Sequence, residues 1–275
     1  YHGVLTSKGK MITDLWAILR GPEDEAGFLL DIPAAGVSRL TDTFQKFLPP
    51  RFAIAEDVSD AVGMVTVAGP AAAETLSRLA LGICVKPGEL SGLTEGAWRS
   101  LGTDLFDDLL VIKTEDVWPE AYSVIGAAEV LQEFWKTLAG DGVTPAGLGV
   151  WSTLRVEAGR PVFGTDMDEQ TIPIEAGIHK RSIDYEKGCF TGQEVIIRIR
   201  DRGHVNRSLK TLRFGDVPTP RSGTELYDED SEKAVGFITS AVQSPKFGEV
   251  IGLAYVRRGY EVVTLNGQGV TVPQE

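Results

Sequence analysis

The texture of the sequence changes after about Arg207, and this change constrains the fold more than any other feature. Downstream, through Val272, no run has a helical period; short apolar stretches at 209–214, 234–239, 250–255 and 261–264 replace it. Turn formers separate them at close intervals: Gly215-Asp216, Pro218, Gly223, Gly248, Gly259 and Asn266-Gly267. Strands that short, punctuated that often, predict a small antiparallel barrel or sandwich of about 65 residues. We therefore expect a boundary near 205, with 1–205 as one region and 206–275 as the barrel.

The longer region alternates strand and helix signals. Residues 27–32 read as a buried strand, and 35–47 as a helix carrying Val37, Leu40, Phe44 and Phe47 until Pro49-Pro50 stops it. Residues 64–68 read as a strand, and Gly69-Pro70 opens a helix with the stripe Ala72, Leu76, Leu79. Strands follow at 109–113 and 121–126, then a helix over 127–138 with Val130, Leu131, Phe134, Trp135 and Leu138 on one face. That alternation predicts α+β or α/β lobes, and 275 residues suggest about two domains.

Composition narrows the function classes. With 43% hydrophobic and 24% charged residues the chain is not of a disordered type. It has no apolar run long enough to span a membrane. Against 39 acidic residues stand 27 Lys and Arg, a net charge of −12, which argues against general nucleic-acid binding. Cys84 and Cys189 are far apart and His2, His179 and His204 are scattered, so neither a disulfide framework nor a zinc site is expected. A reducing compartment fits, and with no secretory signal at Tyr1 the expected location is the cytoplasm.

The densest constellation is Lys187-Gly188-Cys189-Phe190-Thr191-Gly192-Gln193-Glu194. Thr191 and Glu194 have the spacing of a capping box ahead of the apolar Val195-Ile196-Ile197, and Glu194 with Arg198 has the favourable helical i, i+4 order. A helix start and the cation Lys187 beside Cys189 are the surroundings of a reactive cysteine. A small buried core cysteine is an equally natural reading of the spacing alone, and Cys84, in an apolar stretch, reads as core. Gly188 and Gly192 permit close approach of a ligand. The group Asp166, Asp168, Glu169 lacks the Gly and Glu of a calcium loop and reads as a turn.

The motif Lys-Gly-Cys-Phe-x-Gly-Gln-Glu resembles the signature of the YgfZ-type folate-binding proteins, relatives of the glycine-cleavage T protein, an aminomethyltransferase. The run from Leu154 through Arg155, Glu157 and Arg160 to Pro161, the run from Asp166 to Gly177, and the stretch from Arg202 to Arg207 resemble flanking segments of that family. Leu5 to Leu15 resembles the stretch holding the T protein's essential aspartate, which falls on Asp14. The family begins some distance before this stretch, so part of the first lobe is expected to lie outside the sequence.

The resemblance implies an α+β, three-lobed cloverleaf of the glycine-cleavage T-protein type around a central channel, its first two lobes interleaved, ending in an antiparallel β-barrel. It also implies tetrahydrofolate as ligand. Glu157 is then the acceptor for the pterin's paired N–H donors, and Lys187 and Arg198 are the cations for folate's glutamate tail. Asp14 deprotonates or positions a folate nitrogen, and Arg155, Gly188, Gln193 and Glu194 complete the expected folate-contacting set. With Cys189, Lys187 and Asp14 as the reacting groups, the leading expectation is a folate protein supporting assembly or repair of iron–sulfur enzymes, which would be its partners. The alternative is tetrahydrofolate-dependent aminomethyl transfer. A non-catalytic folate scaffold with a structural thiol is the third reading.

Overall fold

A computed structural model describes residues 1–20, 27–79, 88–101 and 109–273. The chain divides into two compact units: Tyr1–Ala55 with Pro161–Glu275, and Glu56–Arg160.

In the first unit, β1 (His2–Leu5), β2 (Met11–Arg20) and β3 (Gly27–Asp31) form an antiparallel sheet in that order. Helix α1 (Ala34–Phe47) lies against β2, and Gly36 explains how closely: a Cβ there would stand 2.0 Å from Thr13 Oγ1. Of the apolar stripe expected on α1, Leu40 is buried, whereas Phe47 is 70% exposed.

The middle unit contains β4 (Val62–Ala68), α2 (Ala72–Leu79), β5 (Trp98–Leu101), β6 (Leu109–Thr114), β7 (Ala121–Ala127), α3 (Ala128–Gly140) and α4 (Leu148–Glu157). Its sheet is antiparallel, in the order β4-β7-β6-β5. The core joins Leu109, Val111, Tyr122 and Val124 of the sheet to Leu76 of α2 and Leu131, Phe134 and Leu138 of α3. Trp135, expected on that face, is 43% exposed instead, because it lies one step round the helix from Phe134. Gly69-Pro70 forms the turn that leads into α2, and Gly69 adopts φ +129°.

The first unit resumes with a loop from Pro161, a short α5 (His179–Ser182) and α6 (Gln193–Arg202). Leu5 and Met11 pack there with Phe163, Met167, Ile178, Ile183 and Ile196. Six strands complete it: β8 (Arg207–Gly215), β9 (Glu225–Asp228), β10 (Ala234–Ser244), β11 (Glu249–Arg257), β12 (Val262–Leu265) and β13 (Gln268–Thr271). They form one antiparallel sheet in the order β13-β12-β9-β10-β11-β8. It curls far enough for Gln268 Nε2 on one edge to donate to the Phe214 carbonyl on the other, at 3.3 Å. Asn266 and Gly267 both have positive φ, as the two-residue β12–β13 turn requires. Inside lie Leu212, Phe214, Leu226, Ile238, Val250 and Val263. The protein is thus α+β with a C-terminal antiparallel sheet. No helix among the described residues is long and apolar enough to cross a membrane.

Candidate functional site

Strand β2 separates two environments by its alternation. Met11 and Thr13 face the core and α1, whereas Asp14 and Trp16 share another face. Asp14 is 6% exposed, and the Tyr1 hydroxyl donates to its Oδ2 at 2.5 Å. The Tyr1 ring packs at 5.5 Å from the Trp16 ring, and the Arg181 guanidinium stands 4.2 Å from the first and 5.2 Å from the second. A buried carboxylate is thereby flanked by two aromatic rings and a cation. This set can accept a proton or hydrogen bond from a nitrogen and offers a flat apolar surface to a ring. Asp14 was expected here through the resemblance. Tyr1, Trp16 and Arg181 were not, and only Trp16, two positions along the same strand, left a sequence signal.

The Lys187–Glu194 motif belongs to the same unit but is built differently from expectation. There is no capping box: Gly192, at φ +81°, is the residue before α6, and no side chain caps the helix. The cause is tertiary. A Cβ on Gly192 would lie 2.6 Å from the Thr6 carbonyl oxygen and 3.0 Å from Gly9 Cα, so the β1–β2 turn is seated on the start of α6. Gly9 reciprocates, since a Cβ there would touch Val195 at 3.1 Å. Glu194 does pair with Arg198, at 2.6 Å, with both side chains largely in solvent.

Upstream of α6, Asp184 Oδ1 accepts the Glu186 and Lys187 amides at 2.8 and 3.2 Å and shapes an exposed loop. Cys189 is exposed on this loop, which removes the core reading of that residue. Lys187 is exposed beside it, its ammonium 5.3 Å from the Phe190 ring centre. Gly188 has open space where a Cβ would point, so its lack of a side chain serves no packing need within the protein. Gln193 is the first residue of α6 and half-buried. Partial desolvation holds the imidazole of His2, an exposed residue at the start of β1, below its ordinary value. Cys84 lies outside the described residues.

Arg155 and Glu157 occupy the last turn of α4 in the middle unit. Arg155 is buried and donates to the Arg160 carbonyl at 3.2 Å, and Glu157 is half-buried. Arg160 is engaged by Glu115 at 2.9 Å. The acidic group 166–169 forms a turn whose members diverge. Asp166 bonds the barrel, Asp168 accepts the Gln170 amide at 2.8 Å, and Glu169 meets Arg39 at 3.3 Å. Among the described residues no group of His, Cys, Asp and Glu is placed to hold a metal ion.

Over residues 1–187 the chain matches the GCVT N-terminal domain, and over 207–273 the Glycine cleavage T-protein C-terminal barrel domain. It is 35% identical over 214 residues to an aminomethyltransferase of Thermosynechococcus vestitus, covering 78% of this chain and 55% of that protein. An aminomethyltransferase of Rubrobacter xylanophilus is 30% identical over 268 residues, 96% of this chain and 68% of the relative. The crystal structure of glycine cleavage system aminomethyltransferase T from Bartonella henselae superposes with a TM-score of 0.75 at 20% identity, over 98% of this chain and 72% of that one. The likeness in fold thus extends across nearly the whole sequence, while the chain spans little more than half of the first of these relatives.

Proposed function

Because the chain belongs to the glycine-cleavage T-protein family, we propose that it binds tetrahydrofolate and carries out one-carbon transfer of the aminomethyltransferase kind. The observation that carries this reading is Asp14, a buried carboxylate that accepts from the hydroxyl of Tyr1, whose ring packs on Trp16. The residues fit a reduced folate: the rings suit a flat heterocycle, and a carboxylate suits a protonated nitrogen. In the proposed reaction a folate nitrogen attacks the carbon of a sulfur-bound aminomethyl group, and the carbon passes to folate as a methylene bridge. A second folate nitrogen closes the bridge, so that two carbon–nitrogen bonds replace the bonds to sulfur and to the amine. The two folate N–H protons, the first relayed by Asp14, leave on the carrier thiol and on ammonia.

Glu157 is proposed for the pterin edge. Lys187, exposed at the motif loop, is a better cation for folate's glutamate tail than Arg198, which already holds Glu194. Arg155, Gly188, Gln193 and Glu194 remain proposed contacts, and the cytoplasm the proposed location.

The test is release of ammonia and formation of methylene-tetrahydrofolate from a lipoyl-carried aminomethyl group. Asp14→Asn should lower the rate by about a hundredfold or more, in line with loss of a general base. Turnover unchanged in that variant would remove Asp14 from the chemistry. One observation favours a second reading: Cys189 is exposed beside Lys187 rather than packed in the core. A folate protein supporting iron–sulfur enzymes, with Cys189 as its working thiol, predicts no ammonia release. It predicts instead loss of that support in Cys189→Ser with folate binding retained.

A further inference from the structure

The barrel grips the loop that follows Pro161, and that loop grips β2. Asp166 is only 3% exposed, and its Oδ1 accepts from Thr239 Oγ1 and Ser240 Oγ, both at 2.6 Å. Two successive residues of a regular strand point to opposite faces and cannot share one acceptor. Here they can, because β10 is bulged: Ile238 pairs with Ala254 and Ser240 with Leu253, leaving Thr239 as the extra residue. Asp166 Oδ2 meanwhile accepts the Val162 amide at 3.0 Å, which folds the loop on itself.

Further along the loop the grip repeats. The Glu175 carbonyl accepts the Leu209 amide at 2.7 Å, and its carboxylate meets the Arg207 guanidinium at 3.4 Å. Arg207 in turn lies 4.5 Å from the Tyr255 ring. Burial pushes the Tyr255 phenol up to about 12, against the opposing pull of the Thr171 hydroxyl and Arg207, so it stands as a neutral group against the loop. Between these points the Thr171 carbonyl accepts the Met11 amide at 3.0 Å, three residues before Asp14 on β2.

We propose that Asp166 is a positioning residue: the bulge in β10 uses it to hold the 162–171 loop, and through Thr171 that loop sets the placement of Asp14. The arrangement makes the barrel part of the support of the acid–base group. The claim about Asp14's work rests on the function proposed above, whereas the mechanical link from Thr239 and Ser240 to Met11 does not.

The link can be broken from the barrel side without touching Asp14 or Asp166. In the full chain, Thr239→Val with Ser240→Ala removes both hydroxyls, and Thr239→Ser alone restores the conservative donor. Hydrogen exchange at the Met11 amide should accelerate about tenfold or more in the double variant. Because Thr239 Oγ1 also reaches the Leu253 carbonyl of β11 at 3.1 Å, the control is the β12–β13 hairpin, whose amides should keep wild-type rates. Thr239→Ser should match wild type throughout. Affinity for folinate, a stable reduced folate, should fall about tenfold in the double variant and recover in Thr239→Ser. Should the double variant not fold, Ser240→Ala alone supplies the same comparison with one donor lost. Unchanged Met11 exchange overturns the link, and so does an acceleration spread equally over the β12–β13 hairpin. Wild-type protein that does not bind folinate would overturn the folate reading, and the Met11 measurement would still decide the link. Folinate binding equal in wild type and variant, with Met11 loosened, would overturn the role toward Asp14.

Discussion

At the scale of single residues, the Tyr1–Asp14 hydrogen bond couples the site to stability. Tyr1 is half-buried, and loss of its hydroxyl leaves a buried carboxylate short of one donor. A hydrogen bond to a charged group is worth about 1.5 kcal/mol at its lower end. Tyr1→Phe is therefore expected to cost about 1.5 kcal/mol in urea unfolding and to lower the proposed folate-dependent activity about tenfold. Equal activity would mean that Tyr1 merely covers Asp14. His2 gives a pH signature. Partial desolvation lowers its proton affinity in the folded state, so the unfolded chain takes up the proton first as pH falls below 6.5, by an amount that the side chain's exposure keeps small. Stability should therefore decline from about pH 7 to about pH 5 through this group, and His2→Phe should shallow that decline in urea titrations at the two pH values.

At the scale of elements, the motif's two glycines have different physical reasons. Gly192 combines a positive φ with a would-be Cβ 2.6 Å from the Thr6 oxygen, so Gly192→Ala must both strain its backbone and lift the β1–β2 turn. About 1–2 kcal/mol for the left-handed residue, plus the clash, gives an expected loss of at least about 2 kcal/mol by urea unfolding. Gly188→Ala meets open space and should stay within about 0.5 kcal/mol, so any functional loss there would report contact with a ligand. The same contrast explains what was legible in the sequence. Strands β8, β10, β11 and β12, helices α1 and α3, and the Asn266-Gly267 turn all announce themselves through local period and turn chemistry. Strands β9 and β13 escaped because each buries a single apolar residue, Leu226 and Val270, whereas β12, equally short, alternates Val263 and Leu265 inward. Helix α4 escaped because Leu148 and Val150 point to solvent and give it no apolar stripe. The capping box failed because Gly192 answers to Thr6 and Gly9, residues more than a hundred positions upstream. In the candidate site Asp14 came from the resemblance, while Tyr1 and Arg181 meet through pairing that no local pattern encodes.

At the scale of the whole molecule, the middle unit is one uninterrupted stretch, Glu56–Arg160, with a core drawn entirely from its own sheet and helices. That stretch should fold when expressed alone, showing a cooperative urea transition and dispersed amide resonances; a molten, non-cooperative fragment would mean that its core leans on the rest of the chain. The other unit has no such independence, because Leu5 and Met11 find their partners in Phe163, Met167 and Ile196, beyond the middle unit.

This discontinuity sets a timetable during protein synthesis. At about 5–20 residues per second, a ribosome needs on the order of ten seconds to traverse the middle unit. Throughout that interval β1, β2 and α1 have left the exit tunnel before their apolar partners exist. The middle unit can close while the first segment waits, and Phe163, Met167 and Ile196 arrive only afterwards to cover Leu5 and Met11. A holdase-type chaperone would find its client in the segment Tyr1–Ala55, at a stage when residues 163–196, which supply its interior partners, are still being translated.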